Sequence, residues 1–307
     1  MKVTLDLGKL LAEGKITQEE HDRLLKLGAA GTGSLAFNIL IGFGVIAVAG
    51  GAVALVPDPL TGIVIGLVVL GTGLALHVAG NAQWALLGSI CILVGALGLA
   101  GGIVVLDNAS VASFLAITIG FAIAGAFARS GLLIAGSVLA LSSCLGARTD
   151  YMHATYFLGI EEPTTTIIVF SLLALVTYLA SKALRHDFER LALVAARTSL
   201  LLVNLGFWIG SLWGDTLESI GLTLSDEVFV VLWAIALIGV GVWAAWANRR
   251  WVVNLAAVFG AIHFYTQWFE RLGAAPVSIL VAGLIALGLA LALWRLNQGL
   301  WEKPAHP

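Results

Sequence analysis

From Gly33 to Leu296 the chain is a succession of apolar runs parted by short polar breaks, each run about the length of a membrane-crossing helix. About 20 apolar residues cross a hydrocarbon layer, and only helices or closed barrels do so with every backbone group satisfied. The runs are too long and too continuous for barrel strands, which alternate over about ten residues. The expected fold is therefore an all-α integral membrane protein, a bundle of about ten transmembrane helices. Spans are expected at 33–56, 60–80, 84–106, 110–128, 131–147, 163–184, 191–213, 227–247, 251–270 and 276–296. The fifth is short, and only Arg129 and Ser130 part it from the fourth. Composition agrees: 11% of residues are charged, where soluble domains carry about a quarter. With a net charge of −2 and no basic tract, nothing points to nucleic acid. Cys91 and Cys144 both fall in apolar runs and read as small buried hydrophobes rather than a disulfide or a metal pair.

The basic residues give an orientation, because cytoplasmic loops collect Lys and Arg. With both termini cytoplasmic, inner segments hold Lys2, Lys9, Lys15, Arg23, Lys26, Arg129, Lys182, Arg185, Arg190, Arg249, Arg250, Arg295 and Lys303, and outer loops only Arg148 and Arg271. The outer loops carry acids instead, among them Asp58, Asp107, Asp150, Glu161, Glu162, Asp215, Glu218, Asp226, Glu227 and Glu270. Pro59, Pro163 and Pro276 each open a helix, where a missing N–H costs nothing. Trp84, Trp246, Trp251, Trp294 and Trp301 fall at inner interfaces and Trp213 and Trp268 at outer ones, as an aromatic belt requires. The charged start lacks the apolar core and cleavage site of a signal peptide, so the first span is expected to drive insertion into the membrane.

Three segments follow: a cytoplasmic helical hairpin over 1–30, a polytopic membrane domain over 31–300 and a short cytoplasmic tail over 301–307. In LDLGKLLAEGKITQEEHDRLLKLG two short helices are expected to meet at Gly14-Lys15, with Thr17 and Glu20 forming a capping box. Leu24, Leu25 and Leu27 give the second an apolar side, to be docked on the bilayer, on inner loops or on a membrane protein partner. The pattern LLAEGKITQEEHDRLL resembles the opening of bacterial multi-pass membrane proteins of the domain-of-unknown-function family 2157, and FNILIGFGVIAVAGGAVALV is similar to their Gly-rich first span. The stretch NLAAVFGAIHFYTQWFERLGAAPVSILVAGLIALGLALALWRLNQ resembles their end, with Gln267-Trp268-Phe269 in place of a basic-aromatic pattern. The resemblance implies a multi-pass fold and brings no activity, cofactor or catalytic residue with it.

Two internal similarities stand out. Asn81-Ala-Gln-Trp84 matches Asn248-Arg-Arg-Trp251 at a spacing of 167 positions, and Asn38 in the first span matches Asn204 in the seventh at 166. A parallel repeat of 33–128 and 191–296 is one reading, and shared Gly/Ala/Leu composition is the other. Glycines at small-xxx-small spacing, Gly62/Gly66, Gly98/Gly102 and Gly206/Gly210/Gly214, allow close helix approach in lipid.

Two polar stripes are the candidate site. Arg197, Asn204, Trp208, Ser211 and Asp215 share one face of the seventh span. His263, Gln267 and Glu270 share one face of the ninth, with His263 about 12 Å below its outer exit. If the faces meet, Asn204, Trp208, Ser211, His263, Gln267 and Glu270 line an outward-opening crevice, with Arg197 either a buried functional charge or snorkelling to headgroups. Trp268, Phe269 and Arg271 read as an interfacial anchor, and His153 belongs to a long outer loop expected to lie along the membrane surface. The histidines lack metal-ligand spacing, and no Walker loop, Gly-x-Ser-x-Gly or Cys-x-x-Cys-His occurs, so no metal, cofactor or catalytic residue is expected. The function expected is a non-enzymatic carrier- or channel-like protein binding or moving a small or lipidic solute. The alternative is a structural or assembly subunit of a membrane complex, and an intramembrane enzyme ranks below both.

Overall fold

A computed structural model describes residues 7–80, 84–152, 155–217 and 221–301. In chain order the elements are α1 (Leu7–Ala12), α2 (Gln18–Leu55), α3 (Pro59–Ala79), α4 (Ala85–Leu106), α5 (Val111–Phe127), α6 (Gly131–Ser143), β1 (Ala147–Met152), β2 (Thr155–Ile160), α7 (Pro163–Ser181), α8 (His186–Trp213), β3 (Asp215–Leu217), β4 (Leu222–Leu224), α9 (Asp226–Trp246), α10 (Arg250–Leu272) and α11 (Pro276–Trp301). Among the described residues five helices, α3, α4, α7, α8 and α9, are long and apolar enough to cross a membrane. Of the other expected spans, α5 has 17 residues, α6 has 13, and α10 has 23 but carries a polar stripe, while the described apolar stretches of α2 and α11 are Leu40–Leu55 and Pro276–Gly288.

Two expectations change. The capping box forms, with the Thr17 N–H donating to Glu20 Oε2 at 2.8 Å and the Glu20 N–H to Thr17 Oγ1 at 3.2 Å. The helix it starts does not stop near residue 30, however. It runs unbroken for 38 residues into the first apolar run, since glycine without proline weakens a helix but does not break it. Second, the fifth apolar run ends as helix at Ser143, and the expected surface-lying loop after it is an antiparallel hairpin, Ala147 pairing with Ile160 and Met152 with Thr155. Its Thr, Tyr and Phe content favours pleated strands. A second hairpin, β3–β4, pairs Asp215 with Leu224. Helices thus dominate, with two small hairpins added. His153, Glu218, the Asn81-Ala-Gln83 half of the repeat, Met1–Asp6 of the hairpin and 302–307 of the tail lie outside the described residues.

The tight helix turns have a local cause. α4, α5 and α9 each close with a left-handed residue that is not glycine: Asn108 (φ 49°), Arg129 (φ 51°) and Asn248 (φ 53°). In each, the next N–H reaches back to the carbonyl five residues earlier: Ala109 to Val104, Ser130 to Gly125 and Arg249 to Ala244, all at 2.8 Å. This is the Schellman closure, which satisfies terminal carbonyls while turning the chain sharply. At the α4–α5 turn, Ser110 and Ser113 both donate their hydroxyls to Asp107, the latter at 2.6 Å, and hold its carboxyl below the usual range.

The chain forms two compact units. The first comprises Met1–Cys144 and Ala183–Val194. Its α3 and α4 pack backbone to backbone: a Cβ on Gly66 would lie 2.4 Å from the Leu99 nitrogen, and one on Gly95 2.3 Å from that of Leu70. Beside this seam Ile92, Ala96, Ile117, Phe121, Leu133 and Ala140 form the buried core. Arg129 pairs with Asp187 at 2.9 Å.

The second unit comprises Leu145–Lys182 and Ala195–Pro307, and its part of α8 is central. Gly206 lets α8 approach Pro163 and Ile167 of α7, and Gly210 lies flat under the ring of Phe229 on α9. Asp215, just past α8, accepts the Thr164 N–H at 2.8 Å and so caps the proline-led start of α7.

Candidate functional site

The polar faces of α8 and α10 do meet, but a residue from a third helix stands between them. Trp233, in the middle of α9, is fully buried (0% exposed). An indole N–H inside an apolar bundle needs an acceptor, and Trp233 Nε1 donates to Asn204 Oδ1 at 3.0 Å. The Asn204 amide nitrogen donates to the Leu200 carbonyl of its own helix at 2.8 Å, so the side chain is engaged at both ends. Phe207 stacks parallel to the Trp233 ring at 6.5 Å between centroids. Phe259 and His263 of α10 close its other sides, His263 edge-on at 4.8 Å and 77°.

One turn beyond, Trp208 Nε1 donates to Thr266 Oγ1 at 3.0 Å, joining α8 directly to α10. The seam is therefore bolted by two indole hydrogen bonds and filled by aromatic rings. Beside it a cavity of about 60 Å3, walled by Leu200, Val203, Asn204, Trp233 and Leu255 among others, is a few water molecules in size. His263 Nδ1 is buried and has no hydrogen-bond partner among the described residues, and the same holds for Ser199 Oγ on the buried face of α8.

The remaining stripe residues fall elsewhere. Ser211 is buried and donates to the Trp208 carbonyl at 2.7 Å. Gln267 accepts from Arg271 Nε at 3.3 Å, and Glu270 is exposed. Arg197 is exposed and lies over the Trp251 ring at 5.1 Å, level with the first turn of α10. Trp268 Nε1 donates to Ser278 Oγ at 2.8 Å and ties the end of α10 to the start of α11. The structure thus gathers Asn204, Trp208 and His263 into one cluster with Ser211 at its edge. Arg197 sits at one end of α10, and Gln267 and Glu270 sit towards the other.

Trp233, Thr266, Phe207 and Phe259 are absent from the sequence-derived stripes. For Trp233 a signal exists: a tryptophan in mid-span departs from the interfacial belt and requires a buried acceptor. Among the described residues no group of three or more His, Cys, Asp or Glu side chains could hold a metal ion. Compared with known proteins, the chain matches no family model, no curated protein and no solved structure.

Proposed function

We propose that the protein is a non-enzymatic, carrier-like protein of the bacterial cytoplasmic membrane that handles a small or lipidic solute at the α8–α9–α10 seam, with Trp233 as its closed gate. Ten spans with both termini cytoplasmic, and membership of the family that the terminal motifs resemble, belong to the same proposal. One observation carries it: the buried His263 Nδ1, unpartnered beside Trp233 at the junction of three helices. Leaving such a group unpaired costs about 1–3 kcal/mol, and polar groups kept at that cost inside membranes mark solute paths. A solute donor that displaces Trp233 would take up both His263 Nδ1 and the Asn204 carbonyl oxygen.

Opening of the seam is measurable in cells. In a chain with Cys91→Ser and Cys144→Ser, a cysteine placed by Ser211→Cys is expected to react slowly with a membrane-impermeant thiol reagent, and faster once Trp233→Ala is added. Ser211→Cys that stays unlabelled in both backgrounds, in a properly inserted protein, would end the gate reading. The second reading, a subunit of a larger complex, is favoured by an apolar groove of about 470 Å3 along α2 and α3, walled by Val45, Val48, Ala52, Val64 and Val68. Native mass spectrometry from the cell's own membrane separates the two, since a stoichiometric protein partner supports the subunit.

A further inference from the structure

At one end of the second unit, cations are laid on aromatic rings. Lys182, the C-cap of α7, holds its ammonium 5.0 Å from the centroid of Tyr178. Arg249, in the α9–α10 turn, places its guanidinium 5.7 Å from the same ring, and Trp243 meets that ring edge-on at 6.2 Å. Two residues on, Trp251 receives Arg197. The Schellman turn at Asn248 is what brings Arg249 and Trp251 together against α7 and α8.

Lys182, Arg197 and Arg249 are exposed and make no ion pair among the described residues, unlike Arg129 of the first unit with its Asp187. The described acids of the second unit lie in or beside the β hairpins or at the opposite ends of these helices, as with Glu161, Asp226 and Glu270. Lys182 and Arg249 thus share one ring, and Arg197 lies on the ring two residues beyond Arg249. No carboxylate is paired to any of the three among the described residues, and α10 starts there without a side-chain cap. A ring under a guanidinium fixes its plane and leaves its N–H edge outward, the geometry that grips a phosphate with two hydrogen bonds. Running away from the cations along the same two helices, Leu175 and Leu179 of α7 and Ile238 and Val242 of α9 are exposed apolar side chains.

From this placement we infer that the Lys182–Arg197–Arg249 cluster is a binding site for the phosphate of an anionic phospholipid, whose acyl chains lie along α7 and α9. Charge complementarity selects the headgroup, and the adjoining apolar flank selects a lipid over a free anion. The inference stands apart from the gate at Trp233, and neither depends on the other.

The test is native mass spectrometry of the full chain in neutral detergent, titrated with phosphatidylglycerol or with phosphatidylcholine of the same acyl chains. Wild type is expected to hold one phosphatidylglycerol at concentrations where phosphatidylcholine shows no discrete adduct. The triple variant Lys182→Gln, Arg197→Gln, Arg249→Gln is expected to bind it roughly hundredfold more weakly. Arg129→Gln, outside the cluster, keeps wild-type binding, and circular dichroism verifies that each variant is folded. The wild-type lipid preference is itself decisive should the triple variant not fold. Equal adducts from the two lipids, or undiminished binding by a folded triple variant, would overturn the site. Displacement of the lipid by millimolar inorganic phosphate would reassign it to free phosphate.

Discussion

The α3–α4 pair and the α9–α10 pair are held together in opposite ways. α3 and α9 are both 21 residues long and start 167 positions apart, the spacing of the Asn-x-x-Trp similarity. At that spacing Gly66 corresponds to Trp233 and Gly62 to Phe229. In the first pair the absence of a side chain brings backbone against backbone, and dispersion and weak Cα–H contacts do the work. In the second, the largest side chain in the repertoire fills the space and brings a polar N–H that must find a partner. Helix length and order are shared; the size of the residue at the crossing decides whether the interface is dry and uniform or polar and individual.

The largest effect is expected where the first seam is blocked. Gly66→Leu or Gly95→Leu sets a side chain into main chain that cannot yield, costing about 3 kcal/mol or more. Size-exclusion profiles should show little monodisperse protein, whereas Gly71→Leu, with open space around its Cβ, behaves as wild type. Equal recovery of Gly66→Leu and Gly71→Leu would abolish the distinction between the two seams.

Next comes removal of the filler in the second seam. Trp233→Ala is expected to cost about 3–5 kcal/mol, seen as a lower thermal midpoint. Trp233→Phe keeps most of the ring but orphans Asn204 Oδ1, at about 1–3 kcal/mol. If the two variants melt alike, packing counts for little there and the hydrogen bond dominates. Trp208→Phe, which breaks only the bond to Thr266, should cost about 1 kcal/mol.

The smallest effect is electrostatic and lies at the α4–α5 turn. The hydroxyls of Ser110 and Ser113 hold the folded Asp107 carboxyl low. Its stabilisation is therefore complete above the ordinary carboxylate value near about 4 and disappears as pH falls through the lower folded value. Asp107→Asn should melt slightly below wild type at neutral pH, with the gap closing in acid. A gap that widened in acid would contradict the hydrogen-bonded carboxylate.

Much of this was legible in the residues. Proline and capping side chains mark the starts of α2, α3, α7 and α11 within a residue or two, because those signals act on the adjacent backbone. The continuous α2 was not, since a helix that crosses from polar to apolar surroundings gives no local stop signal. Nor were the hairpins after α6 and α8, short strands whose pairing is a contact between segments. Within the candidate site, Asn204, Trp208 and His263 were visible as stripes because helical periodicity is a one-dimensional property. Their common neighbour was not visible, because Trp233 lies on another helix and its only mark was an unusual depth.

By itself, then, the sequence determined a chain of apolar helices with their ends, caps and polar faces, since each follows from hydrophobicity and local backbone chemistry. Only the tertiary structure decided which faces meet. It set Trp233 against Asn204 and His263, laid Arg197 on Trp251, and pressed Gly66 onto Leu99. Packing between helices depends on shapes contributed by residues far apart in the chain, and no stretch of one helix encodes the partner that fills its grooves.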